Sequence, residues 1–218
     1  MKKSTITNLL SFITVAALAA ALAGCASHNY EQGAKTGANL TAAADKIAAG
    51  NGKIDATLAS LNDLVGNPQG DLSAKYGKFS DNVNDLQSTA SSVDDRVNDM
   101  QGNSDKYFKA WDEQLAKINN EDIKSRSSQR KQEVMSKFND IKTSYGQAKE
   151  AFKPFMSDLK DIQTALGTDL TVGGVSSIKG AADKANQDAI PLKSAITQLS
   201  QNFRDLGVSM ASSTPQPQ

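Results

Sequence analysis

The chain has 218 residues, 24 basic against 24 acidic side chains, one cysteine and one histidine. This balance provides no polycationic field to hold nucleic acid. A lone cysteine excludes an intramolecular disulfide, and His28, near the N-terminus, leaves no imidazole inside a fold for a metal site or a Ser-His-Asp arrangement.

The first segment divides into three zones. Lys2 and Lys3 form a positive end, and an uncharged run rich in Ala, Val, Leu and Ile extends from Leu9 to Leu22. As a helix that run is roughly 21 Å long, shorter than the ~20 residues of a bilayer span, which is the profile of a signal peptide. It ends in Leu22-Ala23-Gly24-Cys25, which resembles a bacterial lipobox: small residues suit a peptidase cleft, and the thiol of Cys25 takes the lipid. The expected product is a chain anchored to a membrane through several acyl groups, since one chain alone binds marginally. Ala26 and Ser27 follow, not the Asp that often retains lipoproteins in an inner membrane, so the periplasmic face of the outer membrane is the expected address. The expected divisions are a signal peptide over 1–24, a lipidated N-terminus and tether over 25–37, a helical bundle over 38–210 and a disordered tail over 211–218. Cleavage removes Lys2 and Lys3 and leaves 22 basic against 24 acidic residues.

From there the chain repeats one pattern, apolar residues at alternating steps of four and three. The first helix, 38–65, carries Leu40, Ala44, Ile47, Asn51, Ile54, Leu58, Leu61 and Val65; Gly50 and Gly52 weaken it by roughly 1 kcal/mol each relative to Ala. Residues 66–70 form a turn, and Asp71 caps a second helix over 71–118, with Leu72, Tyr76, Phe79, Val83, Leu86, Ala90, Val93, Val97 and Met100 on its stripe. Gly102 offers a break, but the stripe resumes at Tyr107, Trp111, Leu115 and Ile118, which favours continuity. Asn119 to Asp122 supply caps and first-turn acids for a third helix over 121–166, from Val134 and Phe138 to Ile162 and Leu166; Pro154 is expected to kink it without ending it. A connection over 167–174 leads to a fourth helix over 175–210, from Val175 and Ile178 to Leu206 and Met210, with a second kink at Pro191.

No segment shows strand alternation. The fold class is all-α, an elongated antiparallel helical bundle or coiled coil. The second and third helices, joined by a few residues, are antiparallel neighbours of roughly 70 Å. The shorter first and fourth join them at the open end, giving a four-helix base with a projecting two-helix hairpin over about 101–130. A narrow a/d seam leaves no room for a sizeable pocket. At the hairpin tip, Tyr107, Phe108 and Trp111 face Lys124, Arg126, Arg130 and Lys131 across the turn. Aromatic and Arg side chains dominate binding hot spots, so these residues are candidates for a partner contact; the alternative is that the aromatics close the hairpin and the cations form a solvated face.

The stretch Phe108-x-x-Trp111-x-x-x-Leu115-x-x-Ile118-Asn119, then Ser125-Arg126-Ser127 and Lys149-Glu150-x-Phe152-x-Pro154, resembles a bacterial domain-of-unknown-function family of helical proteins, over roughly residues 90–210. The resemblance implies a long-helix envelope protein and brings no activity with it.

No catalytic motif, cofactor loop or metal-ligand spacing stands out, so no enzyme, cofactor or metal is expected. The leading expectation is a lipid-anchored cell-envelope protein with a structural or protein-interaction role, its partner another envelope protein or a second copy. A membrane-active or lipid-binding helical protein and a cell-wall-associated factor are the alternatives.

Overall fold

The computed structural model describes residues 30–211. The signal segment, the lipobox residues Leu22, Ala23, Gly24 and Cys25, His28, and the tail from Ser212 onward lie outside them. Five helices follow in order: α1 (Tyr30–Gly66), α2 (Leu72–Leu115), α3 (Glu121–Thr168), α4 (Val172–Ser177) and α5 (Lys179–Ala211). No strand occurs among the described residues. The chain is all-α.

The capping signals act where the sequence places them. The Asp71 carboxylate accepts the Ala74 N–H at 3.0 Å and opens α2. The Asn120 side chain accepts the Ile123 N–H at 3.1 Å and opens α3, whose first turn carries Glu121 and Asp122 beside the positive end of the helix dipole. Helix α2 runs unbroken through Gly102, and α3 and α5 run through Pro154 and Pro191.

Three boundaries differ from expectation. Helix α1 starts at Tyr30, so residues 30–37, read as tether, are helical. They gain a partner: Gly37 is buried against the last turn of α5, where an added Cβ would lie 2.6 Å from the Gly207 carbonyl oxygen. Helix α2 stops at Leu115, not Ile118, because residues 116–118 tighten into a turn with Lys117 N–H to Gln114 O at 3.0 Å and Ile118 N–H to Leu115 O at 3.2 Å. The expected fourth helix starts at Lys179, not Val175, because Val172–Ser177 form a separate short helix, α4, with Ile178 at its C-terminal end. Thr171 Oγ1 accepts the Gly174 N–H at 3.1 Å and donates to Asp169 Oδ1 at 2.8 Å; Gly174 fits because a Cβ there would lie 2.0 Å from the Asp169 carbonyl oxygen.

The four long helices form an antiparallel ring. Helix α1 neighbours α2 and α5, α3 neighbours the same two, and the pairs α1/α3 and α2/α5 stand on the diagonals. Ion pairs cross neighbouring faces: Lys53 to Asp85 between α1 and α2, Lys193 to Asp55 at 2.6 Å and Arg204 to Asp45 at 2.7 Å between α5 and α1, Lys184 to Asp158 at 2.6 Å between α5 and α3. All of these side chains but the half-buried Asp158 are largely exposed, and each pair contributes at most about 1 kcal/mol, more to the choice of neighbour than to stability.

The spacing between neighbours is uneven. On α5, Ala182, Ala185, Ala189 and Gly207 are buried, and this helix packs tightly on both α1 and α3. Helices α2 and α3 are longer yet approach less closely, because Phe79, Phe155, Tyr145, Phe138 and Trp111 stand between or beside them. Helix axes part by 8–10 Å according to the side chains at the contact. In the second half of α1 the expected Ile54 and Leu61 are buried together with Thr57, Ser60 and Leu64, while the expected Leu58 and Val65 are only partly buried. Contact from both α2 and α5 needs a broader inner face than a two-helix seam. Asn51, the polar residue on the stripe, sends its Nδ2 to Thr197 Oγ1 at 3.1 Å and to the Lys193 carbonyl at 3.4 Å on α5.

Candidate functional site

Two places in the bundle concentrate unusual chemistry: the hairpin tip and a cavity midway along the bundle.

At the tip, Tyr107 lies edge-on to both Phe108 and Trp111, with ring centroids 5.3 and 5.5 Å apart, and Phe108 lies edge-on to Phe138 at 5.5 Å. All three tip aromatics are half-buried and pack on the upper core. The Trp111 indole N–H donates to Ser127 Oγ at 3.1 Å across the hairpin. The four cations are engaged within the chain. Lys124 pairs with Glu121 at 3.8 Å, Arg126 with Asp122 at 3.1 Å, and Lys131 with Asp112 on α2. Arg130 pairs with Glu133 at 3.0 Å and also donates to the Ser209 carbonyl in the last turn of α5. That turn has no basic residue of its own, so Arg130 meets carbonyls at the negative end of the α5 dipole. Arg126, with 79% of its side chain exposed, and Ile123, 54% exposed, face outward at the tip beside the exposed Glu121 and Asp122.

The second place was not legible as a site. The core is divided into two clusters. The lower is built around Phe79, Phe155, Leu159 and Leu166, and the upper around Met100, Phe138, Phe203 and Leu206. Between them lies a cavity of about 290 Å³ that opens to solvent past the exposed Lys46, Ser91 and Lys149. The expectation that a narrow seam leaves no room for a pocket is overturned, and small side chains are the reason. Gly50 on α1, Ala90 and Ser91 on α2, and Ala148 on α3 face a space held open by the larger Tyr145 and Phe152, while Leu192, Ile196 and Leu199 of α5 line its far side.

The lining is mostly apolar; its polar residues are Lys46, Thr89, Ser91, Asp94, Tyr145 and Lys149, of which Asp94, Tyr145 and Lys149 are in contact. The Tyr145 hydroxyl and the Lys149 ammonium, the latter at 2.7 Å, both donate to Asp94 Oδ1. The Lys149 ammonium also lies 5.9 Å from the Tyr145 ring centre, within cation–π range. The Lys149 hydrogen bond first, then that from Tyr145, holds the Asp94 carboxyl below the ordinary carboxylate range. Burial first, then the bond to Asp94, pushes the Tyr145 phenol well above its ordinary 10.0. Tyr145 therefore stays a donor at physiological pH. Lys46 is exposed and has no ion-pair partner among the described side chains.

Sequence reasoning placed Ala90, Val93, Tyr145, Ala148 and Phe152 on inward stripes, but treated every stripe as filled seam. The one signal was the succession of small residues Gly50, Ala90 and Ala148, which meet at one level only when the helices are docked. No group of three or more potential metal-ligating side chains occurs among the described residues, and no described helix is long and apolar enough to cross a membrane.

Residues 38–206 match the family model described as a protein of unknown function, DUF2959. The chain belongs to this family. The DUF2959 match takes in most of α1 as well as the α2–α3 hairpin and α5, so it reaches well N-terminal of the resemblance seen in the motifs. No curated protein and no solved structure matches the chain.

Proposed function

We propose that this DUF2959 protein is a lipid-anchored component of the bacterial cell envelope, attached through Cys25 to the periplasmic face of the outer membrane, with a structural or protein-interaction role. The supporting observation is where the anchor-bearing end falls relative to the tip. Gly37 packs on Gly207 and Ala211, and Arg130 reaches Ser209, so these residues share one level of the bundle. From that level α1 continues about 10 Å to Tyr30, and α3 reaches about 14 Å to Glu121. The first described residue and the hairpin tip thus emerge at the same end. An acyl group on Cys25, five positions before Tyr30, would bring the tip to the membrane surface and to proteins seated in it. Arg126 and Ile123 are the contact groups that such a partner, or a second copy of the chain, would meet first.

Two measurements test this reading. Cys25→Ser should abolish incorporation of labelled palmitate and accumulate precursor; equal labelling of wild type and variant would overturn the anchoring. Trp111→Ala combined with Arg126→Glu and Arg130→Glu should weaken in-cell crosslinking from tip positions while helicity by circular dichroism is retained. Undiminished crosslinking by a folded triple variant would move the contact surface elsewhere.

A further inference from the structure

We propose that the mid-bundle cavity is a binding site for a single acyl chain with an anionic head, carboxylate or phosphate. Its volume of about 290 Å³ is roughly twice the ~150 Å³ cavity that accepts a benzene ring, which suits a chain on the order of ten carbons. A ligand without a long apolar part would leave Ile47, Ile54, Phe152 and Ile196 unfilled. A ligand without a polar end would leave the charged lining residues Lys46, Asp94 and Lys149 without a counterpart.

The sign of the head follows from those groups. Asp94 is already committed, accepting from both Tyr145 and Lys149, and its charge is offset by Lys149. Lys46 is the remaining bordering charge and it is positive. Each of the two lining ammonium groups, Lys46 and Lys149 with 48% of its side chain exposed, offers an anionic head a cationic partner at the rim. A cationic head would be repelled by both. The chain then lies along the apolar wall from Ala90 toward Leu192, completing the core that the two clusters leave open. Filling an apolar void with matching groups restores dispersion contacts that empty space forfeits, so occupancy should stabilise the fold. The site is 16 or more residues along α1 from Tyr30, at least about 24 Å, and is independent of the anchoring proposed for Cys25.

The experiment is titration calorimetry on the mature chain from residue 26, without the signal segment or the acylated Cys25 and freed of co-purified lipid, with laurate, dodecyl phosphate and dodecyltrimethylammonium below their micelle concentrations. Laurate or dodecyl phosphate should bind at one saturable site and raise the melting temperature, the preferred head telling carboxylate from phosphate. The cation of equal chain length should bind at least tenfold more weakly. Ala90→Leu, which grows into the cavity, should lower anion affinity tenfold or more with no loss of melting temperature. If that variant folds poorly, Gly50→Leu serves: nothing lies within 4 Å of where its Cβ would stand. Lys46→Glu, on the exposed surface, should weaken the anions severalfold and leave dodecanol unaffected. Equal affinity for the cationic amphiphile, or undiminished binding by a folded cavity-filling variant, would overturn the site. Because the protein used carries no acyl group of its own, failure here leaves the anchoring untouched, and failure of the anchoring leaves this site untouched.

Discussion

The α1–α5 seam and the α2–α3 hairpin are built from the same heptad rule and end in opposite kinds of packing. Along the seam, Gly37 meets Gly207, Ser200 donates to the Ala44 carbonyl at 2.8 Å, and Asn51 reaches Thr197, so backbones lie close and polar groups cross directly. Along the hairpin, Tyr145, Phe138, Phe108 and Trp111 keep the helices apart, and contact is made through rings and long side chains. Periodicity decides which face of a helix turns inward. The size of the residues on that face decides how near its neighbour comes. A bundle in which α5 packs closely on both α1 and α3 while the α2–α3 hairpin is wide cannot fill its middle evenly, and the cavity lies where small residues of α1, α2 and α3 face one level.

The largest effect expected is on the wide side. Phe155 is fully buried in the lower core, and Phe155→Ala should cost about 3–5 kcal/mol in urea unfolding. A loss under about 1 kcal/mol would mean that aromatic bulk does not set the hairpin spacing. On the close side, Gly207→Ala places a Cβ 2.8 Å from the Gly37 carbonyl oxygen and 2.9 Å from Thr41 Oγ1. It should cost about 1–3 kcal/mol through overpacking. The sharpest contrast is the same substitution at Gly50, where nothing lies within 4 Å: Gly50→Ala should raise stability by about 0.5–1 kcal/mol, because a helix-interior glycine loses more backbone freedom on folding. Equal signs at Gly207 and Gly50 would erase the distinction between close seam and open middle.

The smallest effect concerns pH. The folded chain holds the Tyr145 phenol above its ordinary 10.0, so the stabilisation from its neutral form is complete below pH 10 and is lost as pH rises beyond it. Asp94 has the opposite sense: its carboxyl is held below the ordinary 3.8, so that contribution is present above about pH 4 and is lost as pH falls through the folded value. Tyr145→Phe should flatten the alkaline fall in melting temperature relative to wild type, and an ultraviolet titration of the tyrosines should lose its latest-ionising component. An unchanged alkaline slope in the variant would show that the phenol is not held by Asp94.

The sequence by itself determined the helical class, the antiparallel order, the cap at Asp71, the stretch 119–122 that holds the cap of α3, and most of the buried stripe, since a repeat of four and three fixes an apolar face wherever the helix packs. The continuity of α2 through Gly102 was legible for the same reason: the stripe resumes on the far side. Tertiary structure alone decided what depends on a neighbour's identity. Residues 30–37 are helical because Gly37 finds Gly207 across the seam, the inner face of α1 is broadened because two helices contact it, and Gly50, Ala90 and Ala148 become a cavity only at a shared level. Periodicity is a property of one chain segment, whereas the distance between two axes is set by the pair of side chains that meet, and those pairs exist only once the helices are assembled.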